Sequence, residues 1–266
     1  MNIFRKFLAV LRRDWLTASR YGAASILYVV GLVFEVSAFY FVARSVGPTY
    51  RPDGFDFFSF LVIGTGIWGF FIATVSSFVT AIRESQVSGS IEALMTTATK
   101  PSLLITLSAA STILRDGFQL AAYLAVGLAL FGAAALHVNA LALIVLSVLI
   151  LALALAFGIL AAAVQVSVQK GGTVVWLVGS VIWLFSGTMF PVSVLPAPLQ
   201  MLSKAIPLTY AMDGLRAALL KGTSLAEMGP RLVYLVPLAA VLLPATVAVF
   251  TVTLRQARRR GTLSYY

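Results

Sequence analysis

The chain has 266 residues, 60% hydrophobic and 11% charged, with a mean hydropathy of +0.98, a balance that excludes a soluble globular domain and marks an integral membrane protein. It has no cysteine and a single histidine, His137, which excludes disulfides and thiolate metal sites and argues against a histidine-centred metal or acid–base site. The net charge of +10 does not indicate nucleic acid, because the basic residues stand at the ends of apolar runs and not on one soluble face.

Residues 1–21 carry charges throughout, unlike a cleaved signal with its uncharged apolar centre. Projected at about 100° per residue, Phe4, Phe7, Leu8, Leu11, Trp15 and Ala18 fall on one side, and Arg5, Lys6, Arg12, Arg13 and Arg20 on the other. The segment reads as an amphipathic helix on the membrane surface or as a topogenic anchor. Asp14 lies on the apolar side, and no physical account covers it.

Six apolar runs follow, at 22–43, 57–81, 112–133, 140–164, 173–190 and 232–254. At about 1.5 Å per residue each is of the order needed to cross about 30 Å of hydrocarbon as a helix. Glu35 falls in the middle of the first, where a charge costs about 2.5–3.5 kcal/mol, so it faces protein or water or is protonated; packing and pathway roles both remain open. The second run is aromatic on several faces, with Phe57, Phe58, Phe60, Trp68, Phe70 and Phe71, and carries Gly64, Gly66 and Gly69, small residues that allow close helix approach. A similar set, Gly171, Gly172, Gly179 and Gly187, surrounds the fifth.

The connection 82–104 holds a short helical pattern in which Ser88 or Ser90 can cap, Glu92 falls in the first turn, and Ile91, Leu94 and Met95 form an apolar edge before Lys100 and Pro101. It suits docking into a groove on another protein, or serves as a solvated connector. Arg115 and Asp116 near the start of the third run read as a structural or gating pair.

Between the fifth and sixth runs, segment 190–222 is interrupted by Pro191, Pro196, Pro198 and Pro207 yet stays apolar. Proline removes a backbone donor and restrains its predecessor, so the segment is predicted as short pieces at the membrane edge. Asp213 and Arg216 have the spacing of a helical ion pair. With both termini cytoplasmic, twelve basic residues fall inside and six outside, which puts 190–222 on the outer face. Residues 255–266 form a basic cytoplasmic tail, and no internal repeat or polar linker divides the single membrane domain 1–266. There is no Gly-Lys pair, hence no phosphate-binding loop, and no paired carboxylates that would make a catalytic site.

The succession Gly187, Phe190, Pro191, Leu195, Pro196, Leu199, Leu202, Ser203, Ile206, Pro207, Leu208, Thr209, Tyr210, Asp213, Gly214, Leu215, Arg216 and Gly222 resembles the C-terminal signature of the ABC type-2 exporter permeases. Glu84, Gly89, Ser90, Ile91, Glu92, Ala93 and Leu94, with Pro101 slightly displaced, resemble the family's cytoplasmic motif. The resemblance implies an all-α membrane domain of six transmembrane helices, an N-terminal interfacial helix and re-entrant outer-face helices between spans five and six. It also implies a multi-pass protein of the bacterial inner membrane that exports an amphiphilic or hydrophobic compound, drug-like or lipid-linked. The partners would be a second permease copy, forming a homodimer in the family's pattern, and a separate ABC ATPase that holds ATP and Mg, with no cofactor in this chain.

By the same resemblance Glu84, Gly89, Ile91, Glu92 and Leu94 would couple to the ATPase, and Phe190, Pro191, Pro196, Pro207, Tyr210, Asp213 and Arg216 would form an outer gate. The competing readings are a lipid-linked polysaccharide exporter, an ion-coupled secondary transporter using Glu35, and a membrane scaffold. The missing repeat, the scarcity of acidic intramembrane residues and the dockable loop favour the ATPase-dependent reading.

Overall fold

The computed structural model of the chain describes residues 22–87, 101–131 and 137–260. The expected interfacial helix at 1–21, most of the 82–104 motif and the end of the basic tail lie outside these residues. Every regular element among the described residues is helical: α1 (Gly22–Val46), α2 (Phe57–Val87), α3 (Pro101–Phe131), α4 (Ala140–Val168), α5 (Gly171–Phe185), α6 (Ala197–Ala205), α7 (Pro207–Leu220) and α8 (Gly229–Arg260). Four of them, α1, α2, α4 and α8, are long and apolar enough to cross a membrane. These are the features of a multi-pass helical membrane protein.

Local chemistry explains the boundaries. The Asp56 carboxylate accepts from Ser59 N–H at 3.0 Å and so satisfies a donor that the first turn of α2 leaves open. Asn139 does the same for α4, its Oδ1 accepting from Ala142 N–H at 3.1 Å. Pro101, Pro198 and Pro207 each lie in the first turn of a helix, where the missing N–H costs no intrahelical bond. The apolar run 173–190 is not one continuous helix. Its α-helical part, α5, ends at Phe185, Ser186 closes the last turn, and Gly187 at φ 79° reverses the chain. Fifteen residues reach only about 22 Å, less than the hydrocarbon needs.

α4 is the hub, packing on α2, α5, α7 and α8, and α2 in turn touches α1, α3, α5 and α7. The main core joins Phe60, Ile67, Phe71 and Val75 of α2 to Leu146, Ile150 and Leu153 of α4, to Leu208, Met212 and Leu215 of α7, and to Leu235 of α8. The α2–α4 approach depends on Gly158, where a Cβ would stand 2.7 Å from the Phe78 ring and 3.3 Å from Val75 Cα. α1 is peripheral and anchored on one face only, through Leu32 and Val36 against Phe58, Val62 and Tyr123.

Candidate functional site

The proline-broken segment forms two short helices across one end of this bundle. α7 turns Leu208, Ala211, Met212, Leu215 and Ala218 inward at spacings of three and four, and these apolar contacts carry Arg216 with them. Arg216 is fully buried, at 0% exposure. Its Nη1 donates to Gly187 O at 2.9 Å, and its Nη2 donates to Thr188 O at 3.1 Å and to Phe60 O at 3.0 Å. The guanidinium carbon stands 3.6 Å from the centre of the Phe60 ring. One side chain thus joins α7, the turn after α5 and the first turns of α2.

A planar fork of donors fits this task, since three carbonyls converge on it from two separate stretches of chain. Gly64 leaves the room: a Cβ there would overlap Arg216 Nη2 and lie 2.5 Å from Thr188 O. Burial lowers the Arg216 pKa from its ordinary value to about 10, which still leaves it charged at neutral pH. The sequence points to Asp213 as the partner of Arg216. Asp213 Oδ1 lies 4.0 Å from Nη1 and is 41% exposed, so the short contacts of the guanidinium go to backbone carbonyls and not to this carboxylate.

The other gate residues of the sequence analysis gather around this point. Pro191 is buried and Phe190 half-buried where the chain leaves Gly187, while Pro196 is exposed at the start of α6 and Pro207 is half-buried at the start of α7. Thr209 Oγ1 donates to Ser203 O at 3.0 Å, fixing the α6–α7 corner. The Tyr210 ring packs on Tyr234 with centroids 4.8 Å apart, and Tyr234 Oη donates to Ala205 O at 3.1 Å, tying α8 to the end of α6. At the far end of α7, Lys221 Nζ donates to Asp53 O at 3.1 Å above the Phe55 ring, and Asn139 N–H donates to Ala218 O at 2.9 Å. The helix pair is therefore fixed to the loops before α2 and α4.

The remaining sequence candidates are elsewhere. Glu84 is exposed near the end of α2, while Gly89, Ile91, Glu92 and Leu94 lie outside the described residues. Glu35 is on the exposed face of the peripheral helix α1. Asp116 is buried in α3, with Arg115 Nη2 3.5 Å away and largely exposed. Among the described residues no three His, Asp or Glu side chains gather as a metal site would require.

Sequence reasoning passed over a second polar junction at the opposite end of α2. Gln165 of α4, buried, donates from Nε2 to Gln86 Oε1 at 2.9 Å, and its Oε1 accepts from Gly171 N–H at 3.0 Å. Two amides in otherwise apolar helices are the signal that could have found it, but the fourth apolar run was ended one residue before Gln165.

The profile of the family described as "ABC-2 type transporter" matches residues 2–220 of this sequence. No curated protein matches it.

Proposed function

Since the chain belongs to the ABC-2 type transporter family and is a multi-pass membrane permease, we propose that it is the membrane half of an ATP-driven exporter of an amphiphilic or hydrophobic compound. On this reading six segments cross the bilayer, the fifth as α5 together with the turn that follows it, both termini are cytoplasmic, and α6 and α7 are re-entrant helices at the outer face of the bacterial inner membrane. The energy comes from a separate ABC ATPase docked at 84–94, and a second copy of the chain completes the pathway. The window of α1 that is apolar enough to span is only 11% buried, which supports a surface left for lipid or for that second copy.

The observation that carries the reading is the buried Arg216, because a cation enclosed by carbonyls of α2 and of the turn after α5 makes α7 move with the helices that would line a pathway. α7 is then the outer gate, with Arg216 as its brace and Asp213 as the exposed edge of that brace.

Two measurements test this. In membranes containing the ATPase, Glu92→Lys abolishes co-purification of the two proteins while the permease keeps its melting temperature; wild-type recovery of the ATPase removes the coupling role. In inverted vesicles, uptake of an amphiphilic dye follows ATP and ignores a collapsed proton gradient. Uptake that follows the gradient and is lost in Glu35→Gln makes the chain a secondary transporter instead.

A further inference from the structure

A cleft of about 650 Å³ lies between α2, α4 and α5, toward the end of α2 remote from Arg216. Its size is that of a site for a small molecule or one headgroup. Arg83 and Lys170 line it, both exposed, and neither has an acidic partner among the described residues. Among the described residues no acidic side chain lines the cleft. Thr173 in the first turn of α5 adds a hydroxyl at the helix end that favours negative charge. Gln165 forms one wall, its amide bonded to Gln86 and to Gly171 N–H.

The other side of the cleft is apolar. Val175 and Trp176 line it, and Trp176 at 71% exposure and Leu177 at 56% begin a bare apolar face of α5 that Val181 and Leu184 continue at successive spacings of four and three from Leu177. A polar cationic pocket opening onto an apolar strip matches a molecule with an anionic head and an apolar chain. The chemistry of two cations and a hydroxyl is that of a phosphate, which accepts several charge-assisted hydrogen bonds at once.

We propose that this cleft takes up a phosphate-bearing amphiphile, with its phosphate between Arg83 and Lys170 and its chain along Trp176 and Leu177. The inference gives the cargo of the proposed permease a headgroup charge and rests on that reading for its place in transport, though not for binding. A zwitterionic lipid and free phosphate offer parts of the same chemistry, and the test separates them.

The full chain is placed in phosphatidylcholine nanodiscs and titrated with dihexanoyl phosphatidic acid, read by tryptophan fluorescence. Saturable binding is expected, weakened about tenfold or more in Arg83→Gln/Lys170→Gln, in keeping with two charge-assisted contacts. Lys170→Gln alone weakens it in the same direction; this side chain makes no capping bond, so the fold does not depend on it. Trp176→Phe removes most of the fluorescence change. Wild-type affinity in the double variant overturns the proposal, as does equal affinity for dihexanoyl phosphatidylcholine. Inorganic phosphate bound as tightly as the lipid overturns it in favour of a free-phosphate site. No ATPase and no gradient enter this assay, so its failure leaves the permease reading standing, and failure of the co-purification and uptake tests leaves the binding result intact.

Discussion

Helix α5 is held at its two ends by different chemistry. At one end the turn that follows it, Gly187–Thr188, gives two carbonyls to a buried guanidinium that also binds Phe60 O of α2. At the other end Gly171 N–H rests on the Gln165 amide, which is linked to Gln86 of α2 and leaves Gln86 Nε2 without a partner among the described residues. The first is a charge whose removal takes a donor from three carbonyls, of which Phe60 O keeps its α2 helix bond while Gly187 O and Thr188 O belong to the turn. The second is a pair of neutral bonds that is already one short. The contrast teaches that α5 has a fixed end and a yielding end, and that a tilt of this helix would pivot near Arg216 and open near Gly171.

The largest effect tests the fixed end. Arg216→Leu removes a buried cation and leaves the carbonyls of Phe60, Gly187 and Thr188 without its donors, and at about 1–3 kcal/mol for each acceptor left unpaired a loss of about 2–5 kcal/mol is expected, read as a fall in melting temperature of the detergent-solubilised chain. Arg216→Lys recovers part of this, because a point ammonium reaches fewer of the three acceptors than a planar fork. A melting temperature within error of wild type in Arg216→Leu would break the comparison at its root. Asp213→Asn is expected to be close to neutral, since its carboxylate is partly exposed and 4.0 Å away.

Gly64→Ala comes next. The added methyl would occupy the space of Arg216 Nη2 and press on Thr188 O, so about 1–3 kcal/mol is expected from overpacking. In Arg216→Leu the guanidinium is gone, and part of the Gly64→Ala penalty disappears with it. A double-mutant cycle with no interaction term would show that Gly64 is needed for some other reason.

Gln165→Leu tests the yielding end. It frees Gly171 N–H and Gln86 Oε1, each of which has lost one neutral bond, and about 1–2 kcal/mol is expected. Hydrogen exchange should quicken at Gly171 while the backbone around Gly187 and Thr188 keeps its protection. A loss equal to that of Arg216→Leu, or exchange that quickens at both ends alike, would make the two junctions equivalent and remove the pivot.

How far the sequence announced these junctions follows from their physics. The helical class, the long apolar elements and the proline-broken corner were legible, because the length of an apolar run and the missing donors of Pro191, Pro196, Pro198 and Pro207 act locally. Arg216 stood out as a charge in an apolar stretch, but its nearest charge in sequence, Asp213, drew attention away from its real acceptors. Backbone carbonyls carry no sequence signal, and Phe60 is 156 residues away. Equal hydropathy also conceals position: α1 and α2 both qualify as spans, yet their windows are 11% and 72% buried. What separates them is which faces meet small residues and partners, a tertiary fact. Gln165 was missed because the apolar run was ended just before it, where a neutral amide reads as a boundary and not as a buried partner.

The smallest effect concerns what the fixed end carries. Tyr234 Oη donates to Ala205 O at the end of α6, in an exposed setting, and its ring stays against Tyr210 when the hydroxyl is removed. Tyr234→Phe should therefore cost about 0.5–1 kcal/mol. If α6 and α7 swing with Arg216 as one body, loosening this tether changes the rate of dye uptake without shifting the melting temperature by more than that small amount. If instead α6 is fixed to α8 while α7 moves beneath it, the same substitution leaves uptake unchanged. The Thr209–Ser203 bond across the α6–α7 corner favours the first outcome, since it couples the two short helices whatever Tyr234 does. Thr209→Val in the Tyr234→Phe background then separates them: a larger change in uptake than either substitution alone means that both tethers serve one moving unit.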